Sequence, residues 1–133
     1  MENITYSADK NISAKELAYI FDEAGLERPT NDLSRMKSMI EHADVIVIAR
    51  KDKKIIGVAR ALTDFRYCCY LSDLAVIKSY QKQGVGKKIV EKLQSFLGEE
   101  VSLLLISVPE AVDYYPKIGF DQIDRAFWIQ RTK

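Results

Sequence analysis

Apolar residues first recur at helical spacing and later in strand-like runs, so the pattern predicts two helices followed by β-strands. Ser13 and Glu16 have the spacing of a capping box, and the helix that they open should end near Gly25. A second helix is expected to begin after Asn31 and to run past Ile40. Strands are predicted at residues 4–6, 45–49, 55–61 and 67–76, with a hairpin turn at 51–54.

The second half of the chain contains the clearest helical pattern. Residues 84–97 place their apolar side chains on one stripe, and Gly98 follows as a stop signal. The apolar run from Val101 to Val108 predicts a central strand. A short helix is expected through Ala111 to Tyr115, and a last strand around residues 127–130.

This order of elements predicts one domain over residues 1–133, with a mixed α/β sheet and helices on its faces. The strand–helix–strand passage from Tyr67 to Val108 should be a right-handed crossover between parallel strands. The sequence contains no internal repeat and no Pro/Gly/Ser-rich linker. We therefore expect a single hydrophobic core.

The composition is that of an ordinary globular protein, with 47% hydrophobic and 29% charged residues. A net charge of +1 gives no reason to expect nucleic acid or a membrane as a partner. The first residues lack the pattern of a secretory signal, and no apolar run approaches the ~20 residues of a membrane span. The expected location is therefore the cytoplasm.

Cysteine and histidine are too few for most metal or nucleophilic sites. Cys68 and Cys69 are adjacent, which strains a disulfide and fits neither zinc nor redox spacing, so free thiols are expected. His42 is the only histidine and should lie on the surface at the end of a helix. No metal is expected, and a Ser/His or Cys/His hydrolase is disfavoured.

Residues 81–86 form a glycine-containing turn between a strand and the strongest helix. Gly84 and Gly86 allow the backbone to approach a phosphate, and the helix behind them adds unpaired N–H groups. Four lysines and no acid lie between Lys78 and Lys88. Walker A and dinucleotide motifs both fail at this turn. Either an anion site or a plain turn with solvated lysines would fit these residues alone.

Two blocks of residues resemble the GNAT superfamily of N-acetyltransferases. The motif Gln81-x-x-Gly84-x-Gly86 follows residues 74–76 at the family's distance, and residues 111–120 are similar to its A-x-x-F-Y-x-K-x-G-F segment. Residues 57–61, 72–73 and 80–81 also resemble short amine acetyltransferases of plant plastids. This resemblance implies a mostly antiparallel sheet with helices on both faces, a central parallel strand pair, and acetyl-CoA as donor.

The resemblance assigns the donor site to two stretches of backbone. The backbone of Leu74, Ala75 and Val76 would pair with the pantetheine arm. The pyrophosphate would lie on amides of the turn, chiefly at Gly84, Val85 and Gly86. The full set of turn residues implied is Gln81, Lys82, Gln83, Gly84, Val85, Gly86 and Lys87.

The same resemblance implies roles for three side chains. Tyr115 would protonate the departing thiolate, since a phenol with a pKa near 10 is protonated at neutral pH. Asp73 is a base or water-relay candidate, and Tyr80 an accessory. Purely structural roles are the alternatives: Tyr115 would be a core residue, and the Asp73 carboxylate would bond to neighbouring backbone. Tyr114 is expected only to pack against its neighbours.

Two departures from the family pattern affect the same side of the cleft. Val108 replaces an asparagine, and Pro116 replaces a glutamate and should shorten or kink the small helix. Four acidic side chains could select a cationic amine, although a solvated surface is favoured for them: Asp22, Glu23, Glu27 and Asp64. Arg60 and Arg66 could equally select an acidic group.

Three functions are open at this point. The first is transfer of an acetyl group to a small-molecule or protein amine, by direct attack in a ternary complex. The second is an acyl-CoA-binding sensor or regulatory domain with little activity, and the third is a nucleotide-binding domain. A homodimer is a further expectation, because dimers are common in the family.

Overall fold

The structure is a computed structural model, and it describes residues 3–133. Five strands form one sheet in the order β1-β2-β3-β4-β5, antiparallel except for the parallel pair β4–β5. The strands are β1 (Ile4–Ala8), β2 (Val45–Lys51), β3 (Lys54–Thr63), β4 (Cys68–Val76) and β5 (Ser102–Leu104). The helices are α1 (Ala14–Ala24), α2 (Leu33–His42) and α3 (Val85–Leu97).

The helix ends follow the local signals in the sequence. The Ser13 side chain accepts from the Glu16 backbone N–H, and the Glu16 carboxylate accepts from Ser13 N–H, which completes the predicted capping box. Gly25 ends α1 with a left-handed φ of 79°, which glycine adopts without steric cost. Asp32 caps α2 through the Arg35 N–H. These caps fix the end of α1 and the start of α2, and therefore the two ends of the loop between them.

Helices cover both faces of the sheet, as predicted. Residues 45–49 of β2 are all buried, and since successive side chains point to opposite faces, both faces must be covered. A Cβ on Gly57 would lie 3.0 Å from Ile89 Cδ1, so this face of β3 packs against α3. Arg60 points to the opposite face, toward the α1–α2 loop. The core is therefore divided into two layers by the sheet.

A β-bulge at Ser72 changes which face the later residues of β4 point to. Leu71 is paired with Ala61, whereas Asp73 is paired with Arg60, so β4 contains one extra residue between these pairs. Leu71 therefore lies on the α3 face, and Asp73 on the α1–α2 face. Both are buried, so the strand is closely packed on either side of the bulge, against apolar residues at Leu71 and against arginines at Asp73.

Three predictions for the last third of the chain were wrong in detail. The predicted central strand 101–108 is a three-residue strand at the sheet edge, and the predicted strand at 127–130 is not formed. The short helix at 111–115 is replaced by two 3-10 turns, Pro109–Ala111 and Tyr115–Ile118. Pro116 has no N–H to continue a helix, as its presence predicted. Residues 105–108 lose strand geometry because no described strand lies beside them.

Candidate active site

The strands β4 and β5 separate and leave an open cleft between them. They pair only from Cys68 to Tyr70, opposite residues 102–104. Beyond Tyr70, β4 continues to Val76 with β3 on one side and no described strand on the other. The backbone of residues 71–76 therefore presents an unpaired strand edge to the cleft, which is the element needed to bind an extended ligand as an added strand.

The turn before α3 presents free backbone amides at the end of this cleft. Gly84 and Lys82 both adopt left-handed backbone conformations, with φ of 83° and 65°. The first helical hydrogen bond of α3 runs from Lys88 N–H to Gly84 O. The N–H groups of residues 82–87 find no acceptor within residues 3–133. Together with the positive end of the helix dipole, they form a concave anion site.

Gln81 holds this turn in place rather than presenting its own amide. Its backbone N–H donates to Lys78 O at 3.2 Å. Its side-chain Nε2 donates to Val76 O at 2.7 Å and to Ala24 O at 3.3 Å. The glutamine thus joins the end of β4, the end of α1 and the start of the turn.

Tyr114 lies over the first turn of α3. Its hydroxyl is 2.6 Å from the position that a Cβ would take on Gly86, and Val76 Cγ2 is 3.9 Å from the same position. Any side chain at residue 86 would therefore meet the phenol. Burial raises the pKa of Tyr114, so its hydroxyl is a proton donor at neutral pH. Tyr114 was expected only to pack, and the structure places its polar atom at the anion site.

Tyr115 packs beside Tyr114, at the start of the second 3-10 turn. Its ring makes edge contacts with the rings of Tyr114 and Phe120, with centroids 5.2 and 5.6 Å apart. Burial raises the pKa of Tyr115, Tyr114 adds to this, and Arg28 opposes it. The phenol therefore stays protonated at neutral pH, which a general acid requires.

Asp73 is held between two arginines under the cleft. Arg28 Nε donates to one carboxylate oxygen and Arg60 Nε to the other, each at 2.5 Å. Further bonds run from Arg28 to Ser72 O and from Arg60 to Ser72 Oγ. Asp73 is only 1% exposed, so an incoming amine cannot reach its carboxylate without displacing a guanidinium group. The cluster anchors the α1–α2 loop to β4 at the bulge.

Tyr80 lies apart from the other predicted catalytic side chains. Lys51 Nζ is 5.9 Å from the centroid of its ring, which places the ring toward the end of β2. The cleft lies on the far side of β4, next to β5. The structure therefore does not bring Tyr80 together with Tyr115.

A solvent-open groove of about 650 Å³ lies beside the cluster, between the end of α1, the start of α2 and the C-terminal residues. Both acidic and basic side chains line it. Its charged lining residues are Asp22, Glu27, Arg28, Arg35, Arg131 and Lys133.

Two further candidate acceptor residues, Asp64 and Arg66, have other partners. Asp64 accepts from the backbone N–H groups of Arg66, Tyr67 and Cys68, and these bonds lower its pKa. Arg66 is exposed and lies 3.9 Å from Glu100. These residues therefore stabilise the loop that leads into β4 instead of lining the groove.

Comparison with known proteins identifies the family. The GNAT acetyltransferase domain family matches residues 10–128. The uncharacterized N-acetyltransferase ycf52 of Pyropia yezoensis is 30% identical over 98% of this chain and 79% of its own length. The chain belongs to the GNAT family of acetyltransferases. The chloroplastic GCN5-related N-acetyltransferase 2 of Arabidopsis thaliana is 35% identical over 62% of this chain and 34% of its own length.

Solved structures show the same GNAT fold. A Staphylococcus aureus protein described as a probable acetyltransferase superposes with a TM-score of 0.81, covering 96% of this chain and 99% of its own, at 23% identity. An aminoglycoside N-acetyltransferase in complex with CoA superposes with a TM-score of 0.75, covering 100% and 97%, at 17% identity. The expected sheet, with its parallel pair, is thereby confirmed as a GNAT sheet.

The residues of this GNAT chain fit a CoA-type ligand. A Cβ on Gly84 would meet no atom within 4 Å, so the space above the free amides is open to a phosphate. The unpaired edge of residues 74–76 leads directly to it. Within residues 3–133, no helix is long and apolar enough to span a bilayer, and no three His, Cys, Asp or Glu side chains form a metal-binding group.

The site residues that the sequence implied stay predictions, and the structure adds two contacts that the sequence did not predict, Arg28 with Asp73 and the Tyr114 hydroxyl beside Gly86. Arg28 gave no signal, because its partner Asp73 is 45 residues away and loop residues follow no period. Tyr114 did stand out as a tyrosine at the family's phenylalanine position, which was the available signal. His42 is exposed at the end of α2, and Cys68 and Cys69 are free thiols, as expected.

Proposed function

We propose that this GNAT protein transfers an acetyl group from acetyl-CoA to a primary amine, by direct attack within a ternary complex. The observation that carries the proposal is the separation of β4 from β5 beside the free amides of the α3 turn. The donor, when bound, supplies a thioester carbonyl and a thiolate leaving group. The remaining steps belong to residues of this chain.

The backbone binds the donor in this proposal. Residues 74–76 offer N–H and C=O groups along the open edge of β4, where a pantetheine arm can be bonded as an added strand. The N–H groups of residues 82–87 hold the pyrophosphate, with Gly84 and Gly86 allowing close approach. An N–H at Ala75 or Val76 is available to hydrogen-bond the thioester oxygen, a contact that stabilises charge as it develops.

Tyr115 is the proposed general acid. Its phenol is partly buried and protonated, since burial and Tyr114 raise its pKa. A protonated phenol can donate to the sulfur as the C–S bond breaks and the thiolate departs. The neutral amine forms the new C–N bond, and the proton that its nitrogen then loses restores the phenol, so the products are the amide and the free thiol of CoA. We assign Tyr80 no role in the protonation of the thiolate, since its ring lies toward Lys51 of β2, and its accessory role stays a prediction.

Asp73 is proposed as a positioning residue rather than as the base. Its two oxygens are bonded to Arg28 and Arg60, and the side chain is buried. It holds Arg28 against β4, so that Arg28 separates the groove from the cleft.

The groove beside Arg28 is the proposed entrance for the acceptor. Its volume lies in the range of small-molecule sites, ~300–1,000 Å³. Asp22 and Glu27 line it and can attract a cationic amine, as the sequence suggested. The aminoglycoside acetyltransferases that share the fold act on small amines by name, which favours a small-molecule acceptor over a protein.

Calorimetric titration with CoA and acetyl-CoA, together with an acceptor panel of polyamines, aminoglycosides, amino acids and peptide amines, tests the function. We expect binding of both CoA and acetyl-CoA and turnover with at least one small amine. Binding without turnover on any amine would favour the sensor alternative. Absence of CoA binding would exclude both.

A Tyr115→Phe variant tests the acid. We expect kcat to fall by about 10²-fold, the lower range for general acid catalysis, with the Kd for CoA unchanged. Tyr67→Phe is the matched control, because Tyr67 is 77% exposed in the loop before β4. An unchanged kcat in Tyr115→Phe would remove the phenol from the mechanism.

The relatives also bear on location. The chloroplastic name of the Arabidopsis protein favours a plastid for this chain over the cytoplasm that the sequence predicted. Microscopy of the protein tagged at its C-terminus and expressed from its own gene tests this, and a diffuse cytoplasmic signal would restore the earlier expectation.

A further inference from the structure

The cluster at the β4 bulge contains one more positive charge than negative charge. Arg28 and Arg60 both pair with Asp73, and the two arginine side chains are only 20% and 11% exposed. Within residues 3–133, no other carboxylate forms an ion pair with either guanidinium group. A charge held away from water is costly unless a counter-charge balances it. The cluster therefore has an unbalanced positive charge beside the groove.

Both guanidinium groups of the cluster retain unused hydrogen-bond donors. Arg60 donates through Nε and Nη2, and its Nη1 has no acceptor in the part of the chain that the structure describes. Because no buried side-chain nitrogen of the described residues lacks a hydrogen bond, Arg60 Nη1 must face accessible space. Arg28 makes one bond from each of its three nitrogens, which leaves one N–H on Nη1 and one on Nη2. The cluster can therefore bind a further acceptor of hydrogen bonds.

The groove that Arg28 lines is itself basic. Four of its charged lining side chains are basic and two are acidic. The whole chain has a net charge of only +1, so the excess is local to the groove. Arg35 is already bonded to Lys133 O, whereas Arg131 makes no hydrogen bond or ion pair with the described residues. A concave surface with an excess of one charge raises the local concentration of the opposite charge, so this groove favours anions.

Arg28 connects this groove with the cleft that contains the proposed general acid. It lines the groove and is bonded to Asp73 of β4. Burial and Tyr114 raise the pKa of Tyr115, whereas the charge of Arg28 lowers it, so the guanidinium group lies within electrostatic range of the Tyr115 phenol. An anion that is held by Arg28 on the groove side is therefore close to the cleft.

We propose that the acceptor is a small amine that also carries a carboxylate, and that Arg28 and Arg131 bind this carboxylate in the groove. The inference rests on the proposed acetyl transfer and names the class of acceptor that the transfer uses. The planar guanidinium fork matches the two oxygens of a carboxylate. Asp22 and Glu27 line the same groove and suit the positively charged amino group as it enters. The carboxylate takes no part in the bond changes, in which the amine becomes the amide and CoA leaves as the thiol.

This class of acceptor differs from polyamines and aminoglycosides, which carry amino groups without a carboxylate. Such polycations would bring several positive charges to a groove that already has a positive excess, and this repulsion opposes their binding. An amino acid brings one charge of each sign. The groove volume of about 650 Å³ also leaves room for a large amino-acid side chain.

Matched pairs of acceptors test the proposal, because a decarboxylated amino acid lacks only the carboxylate. The pairs are phenylalanine with phenethylamine, tryptophan with tryptamine, and lysine with cadaverine, and the methyl ester of phenylalanine removes the negative charge alone. With rates corrected for the fraction of neutral amine, we expect kcat/KM to be higher for the amino acid by about tenfold or more in at least one pair. Values for the amino acid that are equal or lower in every pair would overturn the proposal and leave the acetyl transfer standing.

An Arg131→Gln variant tests the groove residues. Arg131 has no partner among the described residues, so the variant should keep the wild-type circular dichroism spectrum. We expect kcat/KM to fall by about tenfold for the preferred amino acid and to stay unchanged for its decarboxylated counterpart. Arg125→Gln is the matched control, because it removes the same charge at an exposed position outside the groove lining. An equal loss for both members of the pair, or an equal loss in both variants, would overturn the assignment.

Calorimetry separates this inference from the proposed reaction. If no amine is acetylated, phenylalanine and phenethylamine are titrated into the protein with and without CoA. Binding of phenylalanine alone, weakened in Arg131→Gln, would support the carboxylate site although the proposed transfer had failed. Binding of neither compound, or equal binding of both, would overturn the inference.

Discussion

The hydroxyl of Tyr114 lies 2.6 Å from the position that a Cβ would take on Gly86. The nearest ring carbon is 3.6 Å away, so the hydroxyl alone makes the contact too close. Because Gly86 has no side chain, the Tyr114 hydroxyl can occupy the space where a Cβ would be.

A double-mutant cycle on this pair should show strong coupling. Gly86→Ala should lower the free energy of unfolding by about 1–3 kcal/mol, the usual cost of overpacking. In a Tyr114→Phe background the same change should be neutral or slightly stabilising, because the hydroxyl is gone and alanine favours the helix by up to ~1 kcal/mol. Urea denaturation of the four proteins measures both effects. Equal costs in the two backgrounds would show that the contact is not the cause.

Gly84→Ala should weaken CoA binding more than it weakens the fold. The φ of 83° costs an alanine about 1–2 kcal/mol, and its Cβ would enter the space open to the phosphate. Gly25→Ala is the control, since Gly25 has a similar left-handed backbone (φ 79°, ψ 22°) at the end of α1 and its Cβ would make only an ordinary contact, 3.4 Å from Lys78 Cε. Both variants should lose similar stability in denaturation, whereas calorimetry should show reduced CoA affinity only for Gly84→Ala. Parallel losses of affinity would place the anion site elsewhere.

Asp73→Asn should be among the most destabilising polar substitutions in the chain. It leaves Arg28 and Arg60 without their shared counter-charge, and removal of one partner from a buried ion pair costs about 3–5 kcal/mol. Asp9→Asn is the comparison, because the Asp9–Arg50 pair is only partly buried. Chemical denaturation of both variants gives the contrast. A loss for Asp73→Asn no larger than that for Asp9→Asn would mean that the cluster is relaxed in solution.

Asp9 should make the stability pH-dependent in the acid range. The hydrogen bonds from Arg50, helped by Ser7 and the Asn11 N–H, hold the pKa of Asp9 well below its usual range although burial opposes them. Because the folded pKa is lowered, the stabilisation is present above the unfolded pKa of about 3.9 and is lost as the pH falls below it. The stability difference between wild type and Asp9→Asn should therefore shrink from pH 7 toward pH 3. Asp113→Asn, at an exposed position, serves as control, and a pH-independent difference for Asp9→Asn would contradict the assignment.

The sequence predicted best where a local signal is strong. Ser13, Gly25 and Gly98 marked helix ends, and the predicted helix at 84–97 differs from α3 by one residue at its start. The turn at residues 81–86 was located because glycine spacing and helix polarity act over a few residues only.

The sequence predicted least where the structure depends on distant partners. The apolar runs at 101–108 and 127–130 have strand composition, but strand geometry needs a neighbouring strand, and among the described residues only 102–104 of these runs have one. The pairing of Arg28 with Asp73 depends on the α1–α2 loop and on the bulge, neither of which has a period that composition reveals.

Because of the bulge at Ser72, the number of residues in β4 matters as much as its composition. If Ser72 were a regular strand residue instead of a bulge, the residues after it would exchange faces: Asp73 would point into the apolar layer under α3, and Leu74 and Val76 would turn away from it. Deletion of Ser72 would instead join Leu71 directly to Asp73 and keep both on their present faces, because their partners Ala61 and Arg60 are consecutive on β3. An in-frame deletion of Ser72 should therefore be far less damaging than deletion of Leu74, after which Ala75 and Val76 would change faces.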